Sequence, residues 1–277
     1  MHTPNHQLLL NTVSAIITGA NPAIAIYCFG TRGTFLHDSA LLNNTLKNHQ
    51  CLHFDLLLLT KENKPNLCPD LAALVKLKTS GACTVAIVIH NPKSLQPKNP
   101  NRQNFFWQVM NHGRLIYKHP GTNAYTVKAE PIRDYHASAR SWNTRYSHAK
   151  ALLEAAPTLT APEAMLVKFS LLNQAVSLTC LGLLEVFLGY RPNYFSIEFL
   201  FSLCTHFTRL PAEIFPNSSD EGRQMRQLLK LNPASLRHRS SASIHPHLLP
   251  ELESRCNRFL TKANILAEVH LMPHVNL

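Results

Sequence analysis

The sequence predicts an α+β protein of two domains, a mixed α/β half followed by an all-α half, and three observations carry that prediction. Short, almost unbroken apolar runs at 24–29, 54–59 and 84–89 alternate with polar or helical stretches, as buried strands of a mixed sheet with flanking helices do. The stretch from Pro120-Gly121 to Pro131 has little apolar periodicity and marks a linker. Beyond it, apolar residues recur at helical spacing, which calls for a helical bundle. The expected domains are residues 1–122 and residues 132–272.

Taken in order, Leu8, Leu9, Val13, Ile16 and Ile17 share one helical face, so residues 5–18 read as an amphipathic helix ended by Asn21-Pro22. The first strand then runs to a glycine turn at Gly30-Thr31, and an irregular polar span leads to the second strand at 54–59, with Asp55 near its start. Residues 61–69 hold two prolines and read as a loop, with Asp70 capping a helix over 71–78. The third strand, 84–89, offers no carboxylate. Residues 91–103, rich in Pro, Asn and Lys, read as a loop before a helix carrying Phe105, Phe106 and Trp107. Gly113 ends that helix, and a short strand holds Leu115, Ile116 and Tyr117. The aromatic cluster reads as core rather than as a base-stacking platform.

In the second half, Trp142, Tyr146, Ala149 and Leu153 define a helix over 135–156, and prolines at 157 and 162 separate it from a long central helix over 163–188. Gly189-Tyr190-Arg191-Pro192 stops that helix. Its stretch 169–190 is apolar enough to consider as a membrane span, but Asn173, Gln174, Ser177 and Glu185 interrupt it, so a buried helix is expected. A shorter helix follows at 196–208. Ser218 or Ser219 caps the next, whose first turn carries Asp220 and Glu221 at the positive end of the helix dipole. Leu248, Leu252, Cys256, Phe259, Leu260 and Ile265 define a final helix over 247–269.

Composition narrows the class. With 277 residues, 45% hydrophobic and 16% charged, the chain has ample material for buried cores, and disorder is not expected. Seven scattered cysteines without a Cys-x-x-Cys spacing point to neither a disulfide framework nor a zinc ribbon, but to reduced thiols in a cytoplasm. The first twenty residues lack a basic leader and an unbroken apolar core, so no secretory signal or membrane partner is expected. The formal charge is +11, with +7 through residue 125 and +4 after it. A basic first half suits an anionic ligand such as a nucleotide or RNA; a merely soluble basic surface accounts for it equally well. Sixteen histidines would raise the charge further on mild acidification.

Residues 24–60 carry the chemistry. A glycine followed by a hydroxyl residue at one strand end, facing an acid on the next strand, would present phosphate and metal ligands at one rim of a sheet. The order apolar strand, Gly30-Thr31, spacer, then His53-Phe54-Asp55 resembles the minimal nucleotidyltransferases, whose second strand carries an acid, an apolar residue and another acid. The ending of helix, Gly113, apolar pair and Tyr117 is similar to that family too. The resemblance implies that Asp55 is the metal ligand, holding Mg²⁺ if the transferase site is active, and that Gly30, Thr31 and Arg32 bind the phosphates of a nucleotide. One of the family's two carboxylates is replaced by His53, so Asp55 alone should hold Mg²⁺ poorly.

The second half resembles HEPN domains, which often accompany minimal nucleotidyltransferases. The likeness lies in 169–175 (Phe169 to Ala175), in Gly189-Tyr190-Arg191-Pro192, in Ile214-Phe215-Pro216, in Leu228-Leu229 and in Leu236-Arg237-His238. Where that family commonly reads His-Gln-Ala-x-Glu, this chain has Asn173, Gln174, Ala175, Val176 and Ser177, without either ionisable residue. Ribonuclease members have an Arg, then four to six residues, then a His. Arg239 and His245 have that spacing, whereas Arg237 occupies the usual arginine place and Ala242 stands where the fused subgroup has Tyr. Three functions are therefore expected as alternatives. The first is a nucleotide- or RNA-binding fusion with a degenerate, inactive site; the second is an active enzyme using Asp55, or Arg239 and His245. The third is an interaction protein. The resemblance also implies a homodimer through the helical half.

Overall fold

The structure, a computed structural model, describes residues 6–40, 43–62, 64, 66–95, 99–122, 130–231, 233–234 and 248–275, with backbone alone for 34–40 and 43–50. The protein is α+β, with a four-stranded mixed sheet and a C-terminal helical region. It divides into two compact units, Met1–Ile132 and Arg133–Leu277.

In the first unit the strands are β1 (Ala25–Ala40), β2 (Asn43–Leu59), β3 (Cys83–His90) and β4 (Arg114–Lys118), in the order β3-β2-β1-β4. β1 pairs antiparallel with β2 and β4, and β2 pairs parallel with β3. A parallel pair needs a crossover, and α2 (Leu67–Lys78) supplies it. Strand side chains alternate between faces, so Phe54, Leu56 and Leu58 of β2 join Val85 and Ile87 of β3 on one side. There they bury Leu10, Val13 and Ile17 of α1 (His6–Ala20) and Leu71 and Val75 of α2. Removing a wholly buried ring such as Phe54 would cost about 3–5 kcal/mol. The other face meets α3 (Pro100–His112), whose Phe106 ring stands 4.9 Å from His90 and whose Phe105 stands 5.9 Å from Phe29.

Three local departures from the sequence reading have simple causes. The polar residues on either side of 41–42 do not form a loop; they extend β1 and β2 as an antiparallel ribbon, Thr34 opposite Cys51 and Asp38 opposite Lys47. The α2 helix begins at Leu67 rather than after Asp70. Pro69 falls in its first turn, where a missing N–H leaves no bond unmade, so the proline marks a helix start. The α3 helix likewise begins at Pro100, with the Asn99 side chain accepting a bond from the Arg102 amide at 3.2 Å.

In the second unit the central helix is α5 (Met165–Leu188), packed by α4 (Tyr135–Ala155), α6 (Ile197–Cys204) and α9 (Leu248–Val275). It is long and apolar enough to cross a membrane by composition, yet Lys168, Asn173 and Glu185 are buried along it among bundle contacts, so it serves as the core helix. Gly182 lets it approach Trp142 of α4, because an added Cβ would lie 2.6 Å from the indole ring. The Trp142 Nε1–H donates to Asn264 Oδ1 of α9 at 3.1 Å, tying three helices together. Gly189 closes α5 at φ 64°, a left-handed conformation open to glycine at little cost. Helices α7 (Leu210–Ile214) and α8 (Asp220–Leu228), the latter capped by Ser219, complete the described part of the bundle.

Candidate functional site

The polar chemistry of the first unit gathers where β1, β2 and β3 run side by side. The register sets Gly30 opposite Asp55 and Arg32 opposite His53, while His53 lies beside Thr84 and Asp55 beside Ala86. Residues two apart on a strand, and residues opposite each other on neighbouring strands, share a face. Arg32, His53, Asp55 and Thr84 therefore project together, away from the face that carries Phe54 and Leu56.

Asp55 is fully buried, and an isolated carboxylate there would cost several kcal/mol. Its surroundings offset that cost. Arg32 Nη2 lies 2.8 Å from both Oδ1 and Oδ2, and His53 Nε2 lies 3.3 Å from Oδ1. On the other side of the ring, His53 Nδ1 lies 2.8 Å from Thr84 Oγ1. If Nε2–H of a neutral ring donates to the carboxylate, Nδ1 is left to accept from the Thr84 hydroxyl. The Arg32 and His53 side chains are 28% and 19% exposed, which puts solvent at the cationic end of the network and none at the carboxylate.

This geometry bears on the expected magnesium. A divalent cation at Asp55 would have to displace the Arg32 guanidinium or sit against its charge. The position two residues back is His53, the β3 neighbour is Ala86, and among the described residues no three of His, Cys, Asp and Glu gather where an ion could be held. The described residues do not gather the donors of a catalytic Mg²⁺ pair, and Asp55 stands as the counter-ion of Arg32.

Gly30 and Thr31 also stand differently from the expectation. They lie within β1, not in a turn, because the ribbon continues the strand past them. A register shift lies between Cys28 and Gly30, but from Gly30 onward the pairing is regular and successive amides point to opposite edges, so the two do not converge on one phosphate as a nest does. Thr31 is opposite Phe54, and its Oγ1 lies 3.7 Å from Cys28 Sγ, on the face away from the Asp55 carboxylate. Burial pushes the Cys28 thiol above its ordinary pKa, against the opposing bonds with Thr31 and Gly30, so it is no ready nucleophile. The structure thus brings Arg32 and Asp55 together and leaves the Thr31 hydroxyl out. Arg239 and His245, with Arg237 and Ala242, lie outside the described residues.

Thr84 is the member of this network that the sequence reading passed over. His53 and Asp55 are legible as face-sharing residues from their spacing, but the register that sets Thr84 beside His53 is a tertiary fact.

The second unit holds a separate polar cluster. Glu185, nearly buried, accepts from Ser141 Oγ at 2.8 Å, from Arg191 Nε at 2.8 Å and from Arg145 Nη1. Burial pushes its pKa up, but the bonds from Arg191 and Ser141 and the Arg145 charge outweigh that and hold it below the usual carboxylate range. Arg133 donates to the terminal carbonyls of α5, at Phe187 and Val186, where a cation also suits the helix dipole. All four arginine and serine side chains close the end of α5, so the cluster is a structural clamp. Asn173 donates to the Leu229 carbonyl and ties α5 to the end of α8.

No family model matches this chain, and no curated protein matches it.

Proposed function

We propose that the chain is a nucleotide- or RNA-binding protein of the nucleotidyltransferase–HEPN type, with a transferase site that no longer turns substrate over. The observation that carries this reading is the state of Asp55: buried, bonded by Arg32 through both oxygens and, among the described residues, part of no group of three metal-ligating side chains. A site of that kind lacks the oxygen donors for two-metal phosphoryl transfer. What it keeps is a partly exposed guanidinium beside an imidazole, in a half of the chain with a charge of +7. Those groups suit a phosphate bound through charge and hydrogen bonds. The helical half, in this reading, pairs two copies.

The test is a titration of the full chain with ATP and with a short RNA, each with and without Mg²⁺. Binding independent of metal and weakened by Arg32→Lys, which keeps the charge but loses the planar fork, supports the proposal. Binding that requires Mg²⁺ and disappears with Asp55→Ala would point to an active transferase. Absence of binding to either ligand would point to an interaction protein.

A further inference from the structure

The contacts around His53 form a line of hydroxyl, imidazole and carboxylate: Thr84 Oγ1 to His53 Nδ1 at 2.8 Å, and His53 Nε2 to Asp55 Oδ1 at 3.3 Å. We propose that Thr84 is a nucleophile that accepts an acyl group from an ester, with His53 as its general base and Asp55 holding the ring. This does not rest on nucleotide or RNA binding.

The geometry meets the requirements in turn. A hydroxyl is a weak nucleophile until a base within hydrogen-bond reach takes its proton, and Nδ1 is within reach. The base must present an unprotonated nitrogen to the hydroxyl, and the tautomer that gives Nε2–H to the buried carboxylate meets that requirement. The base must tolerate becoming an imidazolium, and a buried carboxylate against its far nitrogen stabilises that charge. The ring is turned end for end relative to the familiar serine hydrolases, but the roles depend on which nitrogen faces the hydroxyl, not on its label. Parallel pairing of β2 with β3 fixes the register rigidly, because His53 lies directly beside Thr84. Thr84 and His53 are both partly exposed, so an ester can approach them from solvent.

The step balances as an ester hydrolysis. Thr84 Oγ1 forms a bond to the ester carbonyl carbon while its proton passes to His53 Nδ1. The tetrahedral adduct then collapses, the carbon–oxygen bond to the alcohol breaks, and the alcohol leaves with the proton from His53. Water attacks the acyl-threonine in the same way, giving up a proton to His53, and Thr84 is regenerated as the carboxylic acid departs. Arg32, bound to the same carboxylate, draws off part of its charge, so activity below that of a dedicated hydrolase is expected.

The experiment is to treat the folded full chain with a fluorophosphonate probe and locate the adduct by peptide mass spectrometry. The expected result is one adduct on Thr84, retained in Thr84→Ser, absent in Thr84→Val, and slowed by about 100-fold in His53→Gln. Circular dichroism verifies that each variant is folded. No adduct on Thr84 of the native chain, an adduct on Cys51 alone, whose Sγ lies 4.0 Å from Thr84 Oγ1, or labelling of folded His53→Gln at the native rate would each overturn the proposal.

Discussion

Replacing Arg32 by alanine tests the counter-ion role of Asp55 in energetic terms. The substitution removes two bonds of 2.8 Å from a carboxylate with no solvent exposure. Stranding one member of a buried pair costs about 3–5 kcal/mol. Because the Arg32 side chain is 28% exposed, water reaches part of the gap, and the lower end, about 3 kcal/mol, is expected. Asp55→Ala in the same background removes the stranded charge. The double variant should therefore be less destabilised than the two single losses added together, with a coupling of about 2 kcal/mol. The assay is urea unfolding followed by Trp107 of α3 in a Trp142→Phe background, so that the signal comes from the unit holding the pair. A loss under about 0.5 kcal/mol for Arg32→Ala, or strict additivity in the cycle, would refute the reasoning.

Other consequences follow from single contacts. His90 is buried, and Arg102 Nη2 faces its Nδ1 at 3.3 Å, so burial first and the Arg102 charge second lower its pKa from 6.5 to about 3. Its stabilising contribution is full above about pH 6.5 and is lost as pH falls toward 3, amounting to about 2 kcal/mol at about pH 5; His90→Gln should flatten unfolding free energy over that range. Gly182→Ala gains about 1 kcal/mol of helix propensity but drives a methyl into Trp142, for a net loss of about 1–2 kcal/mol, read by thermal unfolding with near-ultraviolet dichroism. Sixteen histidines in a chain of charge +11 should make binding to RNA tighten as pH falls toward about 6, and an affinity flat over that range would count against an electrostatic RNA contact.

The parts of the fold legible in the sequence were those set by local pattern. The apolar run Leu56 to Leu59 and the helical spacing of Leu248, Leu252, Cys256 and Phe259 each record burial residue by residue, and the strands and helices formed there. Gly189 marked the end of α5 for the same reason, since only a residue at ease with positive φ closes a helix so cheaply. What failed to show was pairing. Polar residues such as Asp38 and Lys47 carry no apolar alternation, yet their backbones pair as a ribbon, and that ribbon takes Gly30 and Thr31 out of the turn a phosphate site would need. At the site, the spacing of His53 and Asp55 was visible but its meaning was not. Arg32 and Thr84 reach them from two other strands, 21 residues before and 31 residues after His53, and only the sheet register joins the four.

The most direct measurement of whether Asp55 is a counter-ion rather than a metal ligand is a Mn²⁺ titration followed by paramagnetic resonance of the free ion, with Mn²⁺ standing in for Mg²⁺. The account predicts no saturable site at millimolar Mn²⁺ that depends on Asp55, with native and folded Asp55→Ala chains giving the same curve. Saturable binding to the native chain that Asp55→Ala abolishes would contradict it.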